Sequence, residues 1–195
     1  MDAAFLRALM IGSLRDPRGA ARALMALDLP MAARWMAFGA VICLSAALGT
    51  AAELLFAFVT KVDIGGPTQP LPMALMQAGL ILYGAWAMTF FGRFMGGQGS
   101  FPDALILVVW LEFMLIAGQC VQLLIMVFFP IISVLGTVAL IGLLFWLLTQ
   151  FTAALHGFSS LAKVGASVIV IFLGSGILAG TLLVSLGFVP VPVQM

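Results

Sequence analysis

Two acidic side chains stand where an ionisable group is costly. Glu53 and Glu112 fall inside long apolar runs, and Gln119 and Gln122 follow Glu112 seven and ten residues on. At helical spacing, Glu112, Gln119 and Gln122 form one polar stripe on an otherwise apolar helix. Ionisable groups in such runs face a bundle interior or a water-filled cavity, and they often mark proton or ion paths. The stripe could carry a proton or ion relay, or form a cleft for a lipid headgroup, with Glu53 near the depth of its outer end. The same residues could equally be polar glue between helices. Both readings stay open at this level.

The other reactive side chains give no catalytic pattern. His156 is the only histidine, and Ser159 and Ser160 follow it without a nearby carboxylate or a G-x-S-x-G turn. It reads as an interfacial, water-accessible imidazole. One histidine without a second His, a Cys pair or clustered carboxylates does not make a metal site. Gly96-Gly97-Gln98-Gly99 lacks the following Lys-Ser/Thr and the preceding strand of a phosphate loop. Cys43 and Cys120 sit in different segments, at depths that differ by about 10 Å at helical rise. They read as small packing residues rather than a disulfide or metal pair. The expectation is a protein with no catalytic residue, no metal and no cofactor.

The elements that must position these side chains are membrane helices. Five apolar segments, at about 35–59, 71–91, 102–128, 131–154 and 161–186, fill nearly all of the chain after residue 34. Each meets the ~20 residues that a helix needs to cross a ~30 Å hydrocarbon core. Lipid offers no partner to an open sheet edge, so five such runs imply a helical bundle. Composition agrees: 64% of residues are hydrophobic and 8% charged, with a mean hydropathy of +1.26. Soluble domains carry about a quarter charged residues, so no separate water-exposed domain is hidden here. A net charge of +1 argues against nucleic acid as a partner, which would need a concentrated basic surface.

Charge placement sets the orientation. Arg7, Arg15, Arg18, Arg22 and Arg34 precede the first segment, Arg93 lies between the second and third, and Lys163 between the fourth and fifth. Only Lys61 falls on the other side. The positive-inside rule then makes the N-terminus cytoplasmic and the C-terminus external.

Residues 1–30 form a separate amphipathic segment of one or two short helices. Asp16 is an N-cap and Pro17 occupies the first helical position, where its missing N–H costs nothing. Arg15, Arg18 and Arg22 share a face backed by Leu24, Met25 and Leu27, as in a helix lying in the headgroup layer. The arginines break the first apolar patch, so no cleavable signal peptide is expected. Residues 31–195 form the bundle, with a turn-rich loop at 61–70. Ser100 caps the third segment with Pro102 and Asp103 behind it. The run 104–155 would make a helix of about 80 Å if unbroken, so the chain must reverse near Phe128-Phe129-Pro130. Gly92–Gly96 and Gly176–Gly180 are G-x-x-x-G pairs, suited to close packing within the chain or to self-association.

Three features together resemble the Yip domain family, five-span membrane proteins related to Ypt/Rab-interacting proteins, in its bacterial branch. They are the architecture, the turn Arg93-Phe94-Met95-Gly96-Gly97-Gln98-Gly99-Ser100-Phe101 running on to Val109-Trp110, and the stretch from Trp146 to Leu155-His156-Gly157-Phe158-Ser159-Ser160. The resemblance implies a membrane-organising protein. Eukaryotic members engage prenylated small GTPases and carry an acidic Tyr-Gly-Pro-type motif before the first span. Here that place holds Asp28-Leu29-Pro30, without the Tyr or Gly, which puts small-GTPase binding in doubt.

The sequence therefore leads to an all-α membrane protein, a five-transmembrane-helix bundle with an interfacial N-terminal segment, in a bacterial inner membrane. The function it favours is a non-enzymatic scaffold or accessory protein whose partners are the lipid bilayer and other membrane proteins or itself. The alternative is a small transporter or lipid-handling protein that uses Glu112, Gln119, Gln122 and Glu53.

Overall fold

The computed structural model describes residues 3–61 and 70–185. Seven helices follow in order: α1 Ala3–Arg15, α2 Pro17–Met25, α3 Met31–Thr60, α4 Pro70–Phe94, α5 Phe101–Phe128, α6 Pro130–His156 and α7 Leu161–Ser185. There is no strand among the described residues. Residues 62–69, within the stretch expected as a turn-rich loop, and residues from 186 onward lie outside them. The protein is an all-α bundle, and α3 to α7 are each long and apolar enough to span a membrane.

α5 is the centre. It packs against α3, α4 and α6, whereas α7 sits at the edge and packs chiefly on α6. Burial follows that order. Ala104, Leu105 and Leu107 on α5 are inaccessible, while α3 and α6 keep long apolar faces turned outward. In a soluble protein such faces would drive aggregation; here their solvent is hydrocarbon.

Helix ends are written locally. Asp16 caps α2 by accepting from the Gly19 amide at 2.9 Å, with Pro17 at the first position. Ser100 caps α5 by accepting from the Asp103 amide at 3.3 Å. α5 stops at Phe129 because Pro130 cannot extend it and instead starts α6. α4 ends in a Schellman motif, with Gly97 N–H on Gly92 O, Gly96 N–H on Arg93 O, and Gly96 at φ +89°. Only glycine takes that φ without strain.

α1 and α2 are docked on the bundle rather than loose beside it. Ser13 is fully buried. Its hydroxyl donates to Leu9 O and accepts from the Trp110 indole N–H, each at 2.8 Å, which ties α1 to α5. Arg18 Nε donates to Gln150 Oε1 at 3.0 Å, which ties α2 to α6. Trp110 lies nine residues into α5 and Gln150 six residues from the end of α6. At helical rise these positions are roughly 14 Å and 9 Å in from the helix ends, so the Asp16-Pro17 apex lies alongside the spans, not beyond them.

Candidate functional site

Glu112 sits in the twelfth position of α5, about 17 Å from its start at 1.5 Å per residue. Its Oε1 accepts from Gln77 Nε2 of α4 at 2.6 Å and from Ser45 Oγ of α3 at 3.3 Å. One carboxyl oxygen thereby joins three helices near mid-span. A hydrogen-bonded carboxyl at this depth is chemically able to hold and exchange a proton, or to orient a polar group entering between α3, α4 and α5.

The rest of the stripe goes elsewhere. Gln122 donates to Thr137 Oγ1 at 2.6 Å and to Ser133 O at 3.2 Å, fastening the α5–α6 hairpin just inside its turn. Gln119 is half-buried and has no hydrogen-bond partner among the described residues. Glu53 is half-buried on α3 and has a partner of its own. The four residues do not meet in one site. Helical spacing puts Glu112, Gln119 and Gln122 on one face, but the neighbour of that face changes with depth, from α3 and α4 to α6.

The two short motifs that carry the family resemblance meet in space. His156 closes α6 and is 8% exposed, clasped by the α4–α5 turn. The Gly99 amide donates to Nδ1 at 3.0 Å, and Nε2 lies 3.0 Å from Met88 O. Nδ1 is therefore the acceptor, Nε2 carries the proton and donates to Met88, and the imidazole is the neutral tautomer. A Cβ added at Gly92 or Gly97 would overlap the ring, and one at Gly99 would stand 2.7 Å from its Cε1. The Phe158 ring stacks on the imidazole at 5.4 Å between centroids. Arg93 Nε donates to Gly99 O at 2.9 Å and closes the turn. This corrects the expectation of a water-accessible imidazole. The turn needs a buried partner for the Gly99 amide, and its glycines leave a histidine-shaped space.

A second tie lies at the same end of the bundle. Arg34 of α3, 5% exposed, pairs with Asp103 of α5 at 2.8 Å and also donates to Leu29 O at 2.9 Å. The Ser100 hydroxyl donates to the other Asp103 oxygen at 2.6 Å.

The remaining sequence-selected residues fall out as follows. Arg15 and Arg22 are exposed, while Arg18 turns inward to Gln150, and its Nη2 is buried without a partner. Gly92 packs against His156, whereas Gly96 serves the turn and has open space above it. Gly176 and Gly180 also have open space above them, on the outward side of α7. Cys43 and Cys120 are free thiols on exposed faces. Among the described residues, no three His, Cys, Asp or Glu side chains come together.

Sequence reasoning missed Gln77, Ser13, Gln150, the bond from Ser45 to Glu112 and the Arg34–Asp103 pair. Gln77 carried a usable signal as a lone amide in an apolar run, and intramembrane polar residues seek each other. Arg34 and Asp103 did too, since opposite charges at the starts of two helices on one face are natural partners. Ser13 and Gln150 carried none.

Five apolar helices, with α5 at their centre and polar groups tying it to its neighbours, define a multi-pass helical membrane protein. The chain belongs to the Yip1 domain family, whose model matches residues 11–181, from within α1 to within α7. No curated protein and no solved structure matches the chain.

Proposed function

We propose that this protein is a non-enzymatic scaffold or accessory subunit of a bacterial inner membrane, working by lateral packing against other membrane proteins or against itself. The supporting observation is how polar and apolar groups are divided. The inner polar groups of Arg34, Asp103, Glu112 and His156 are tied between helices. α7, packed chiefly on one neighbour, turns Gly176, Gly180, Ile177 and Leu178 outward. Small residues flanked by large apolar ones are how membrane helices approach closely. The N-terminus is cytoplasmic in this reading, with Arg15 and Arg22 of the docked hairpin at the headgroup layer. Replacing Gly176 and Gly180 by leucine tests it: partner capture or self-association should fall in a crosslinking assay while the thermal unfolding midpoint is unchanged. Unchanged association would remove α7 from the account.

One observation favours a second reading, a small transporter or lipid-handling protein. A carboxyl at mid-span, reached from two neighbouring helices, is costly in lipid unless it is used. A relay at Glu112 requires that Glu112→Gln inserts and folds normally yet abolishes a proton- or solute-coupled activity in vesicles. If Glu112→Gln misassembles instead, the residue is structural.

A further inference from the structure

α1 and α2 meet at Asp16-Pro17 and leave between them an open trough of about 310 Å³, with Phe5, Ala8, Gly12, Gly19, Ala20 and Ala23 on its walls. Its lining is apolar apart from Asp16, whose carboxylate is turned to the Gly19 amide. Three residues on from Gly12 and from Gly19, and so on the neighbouring positions of the same two helix faces, stand Arg15 and Arg22. Both are exposed. We propose that this trough binds one acyl chain of an anionic phospholipid, with the lipid phosphate held by Arg15 and Arg22. The proposal rests on the reading that the hairpin lies at the headgroup layer, and it names the ligand there.

Charge and placement select this occupant. The trough is open along one side and walled by small and apolar residues, a shape that an acyl chain can line. The hairpin carries four arginines against one aspartate over residues 3–27, which complements a headgroup of net negative charge rather than a zwitterionic one. Arg18 is bound to Gln150 and stands apart from the rim. The ties of Ser13 to Trp110 and of Arg18 to Gln150 hold the apex beside the spans, where acyl chains are at hand.

The test uses the full chain in nanodiscs containing a phosphatidylglycerol with a diazirine on one acyl chain, or the matching phosphatidylcholine probe, followed by peptide mapping. Phosphatidylglycerol should label the trough walls on α1 and α2. Gly12→Phe fills the trough and, because a Cβ there meets nothing within 4 Å, leaves the fold intact; it should abolish that labelling. Ala23→Phe should do the same from the other wall. Arg15→Gln with Arg22→Gln should leave the trough open but remove a phosphatidylglycerol preference of roughly 30-fold, the product of two arginines at an anionic surface. Equal labelling by both probes would overturn the proposal. So would labelling confined to the outward residues Ile11 and Leu14 and indifferent to Gly12→Phe, although the hairpin would then still lie in lipid. No adduct on α1 or α2 with either probe would overturn both the proposal and the headgroup-layer reading.

Discussion

Alanine in place of Gly92 is expected to destabilise the bundle by about 3 kcal/mol, although alanine is the better helix former by ~1 kcal/mol. A Cβ at Gly92 overlaps the imidazole Nε2 and Cδ2 of His156 and stands 2.6 Å from Cε1. The ring cannot slide away, because Gly97 and Gly99 close on it from the turn and Phe158 stacks on its face. Either the bundle strains, at roughly 1–3 kcal/mol for overpacking, or the imidazole leaves. If it leaves, the Gly99 amide and the Met88 carbonyl lose their partners in a buried place, at about 1–3 kcal/mol each. Gly79→Ala is the control on the same helix, since a Cβ there meets nothing within 4 Å. It should be neutral or stabilising by up to ~1 kcal/mol. Equilibrium unfolding in mixed detergent micelles, followed by helical circular dichroism, measures both. The double variant with His156→Ala should be no less stable than His156→Ala alone, because the clash is then gone. If Gly92→Ala matches Gly79→Ala, or if its loss simply adds to that of His156→Ala, the clasp around the histidine is not what holds this end together.

Other expectations follow from the remaining ties. Asp103→Asn should cost roughly 2–3 kcal/mol in the same unfolding assay, because it leaves Arg34 buried beside a neutral amide; the value falls below that of fully buried pairs because Asp103 is 31% exposed. A change under ~0.5 kcal/mol would mark the pair as a solvated contact. Trp110→Phe removes the donor to Ser13 while keeping an aromatic ring, so trypsin should cut at Arg15 and Arg22 several-fold faster; an unchanged rate would mean that the indole hydrogen bond does not hold the hairpin down. Glu112→Leu should cost about 1 kcal/mol, the scale of a hydrogen bond between membrane helices, and Glu112→Gln less. A loss of several kcal/mol in Glu112→Gln would contradict the geometry at Ser45 and Gln77.

The spans were legible because lipid imposes a length and a hydropathy that few alternatives share. The third segment, expected at 102–128, is Phe101–Phe128, and the reversal falls at Phe129-Pro130. Caps were legible for a different reason. Asp16-Pro17 and Ser100-Phe101-Pro102-Asp103 are local instructions, satisfied within one helical turn. Partnerships between helices were legible only where a lone amide such as Gln77, or opposite charges such as Arg34 and Asp103, stood out. The face of a uniformly apolar helix gives no sign of which neighbour it meets, so the partners of Glu112 on α3 and α4 could not be told from Gln119 on its own face. His156 shows the same limit more sharply. The family resemblance drew on its motif and on the glycine turn as separate stretches, and only packing brings them together and shows that the turn encloses the ring.

The central claim is that this Yip1 domain protein works by packing with other membrane proteins or with itself. The most direct test is the native mass of the tagged protein, extracted gently from its own membrane and kept within a lipid patch. The account predicts a stoichiometric complex, either with a second membrane protein or as a defined self-oligomer. A lone 20.6 kDa chain surrounded only by lipid, at native abundance, would contradict it.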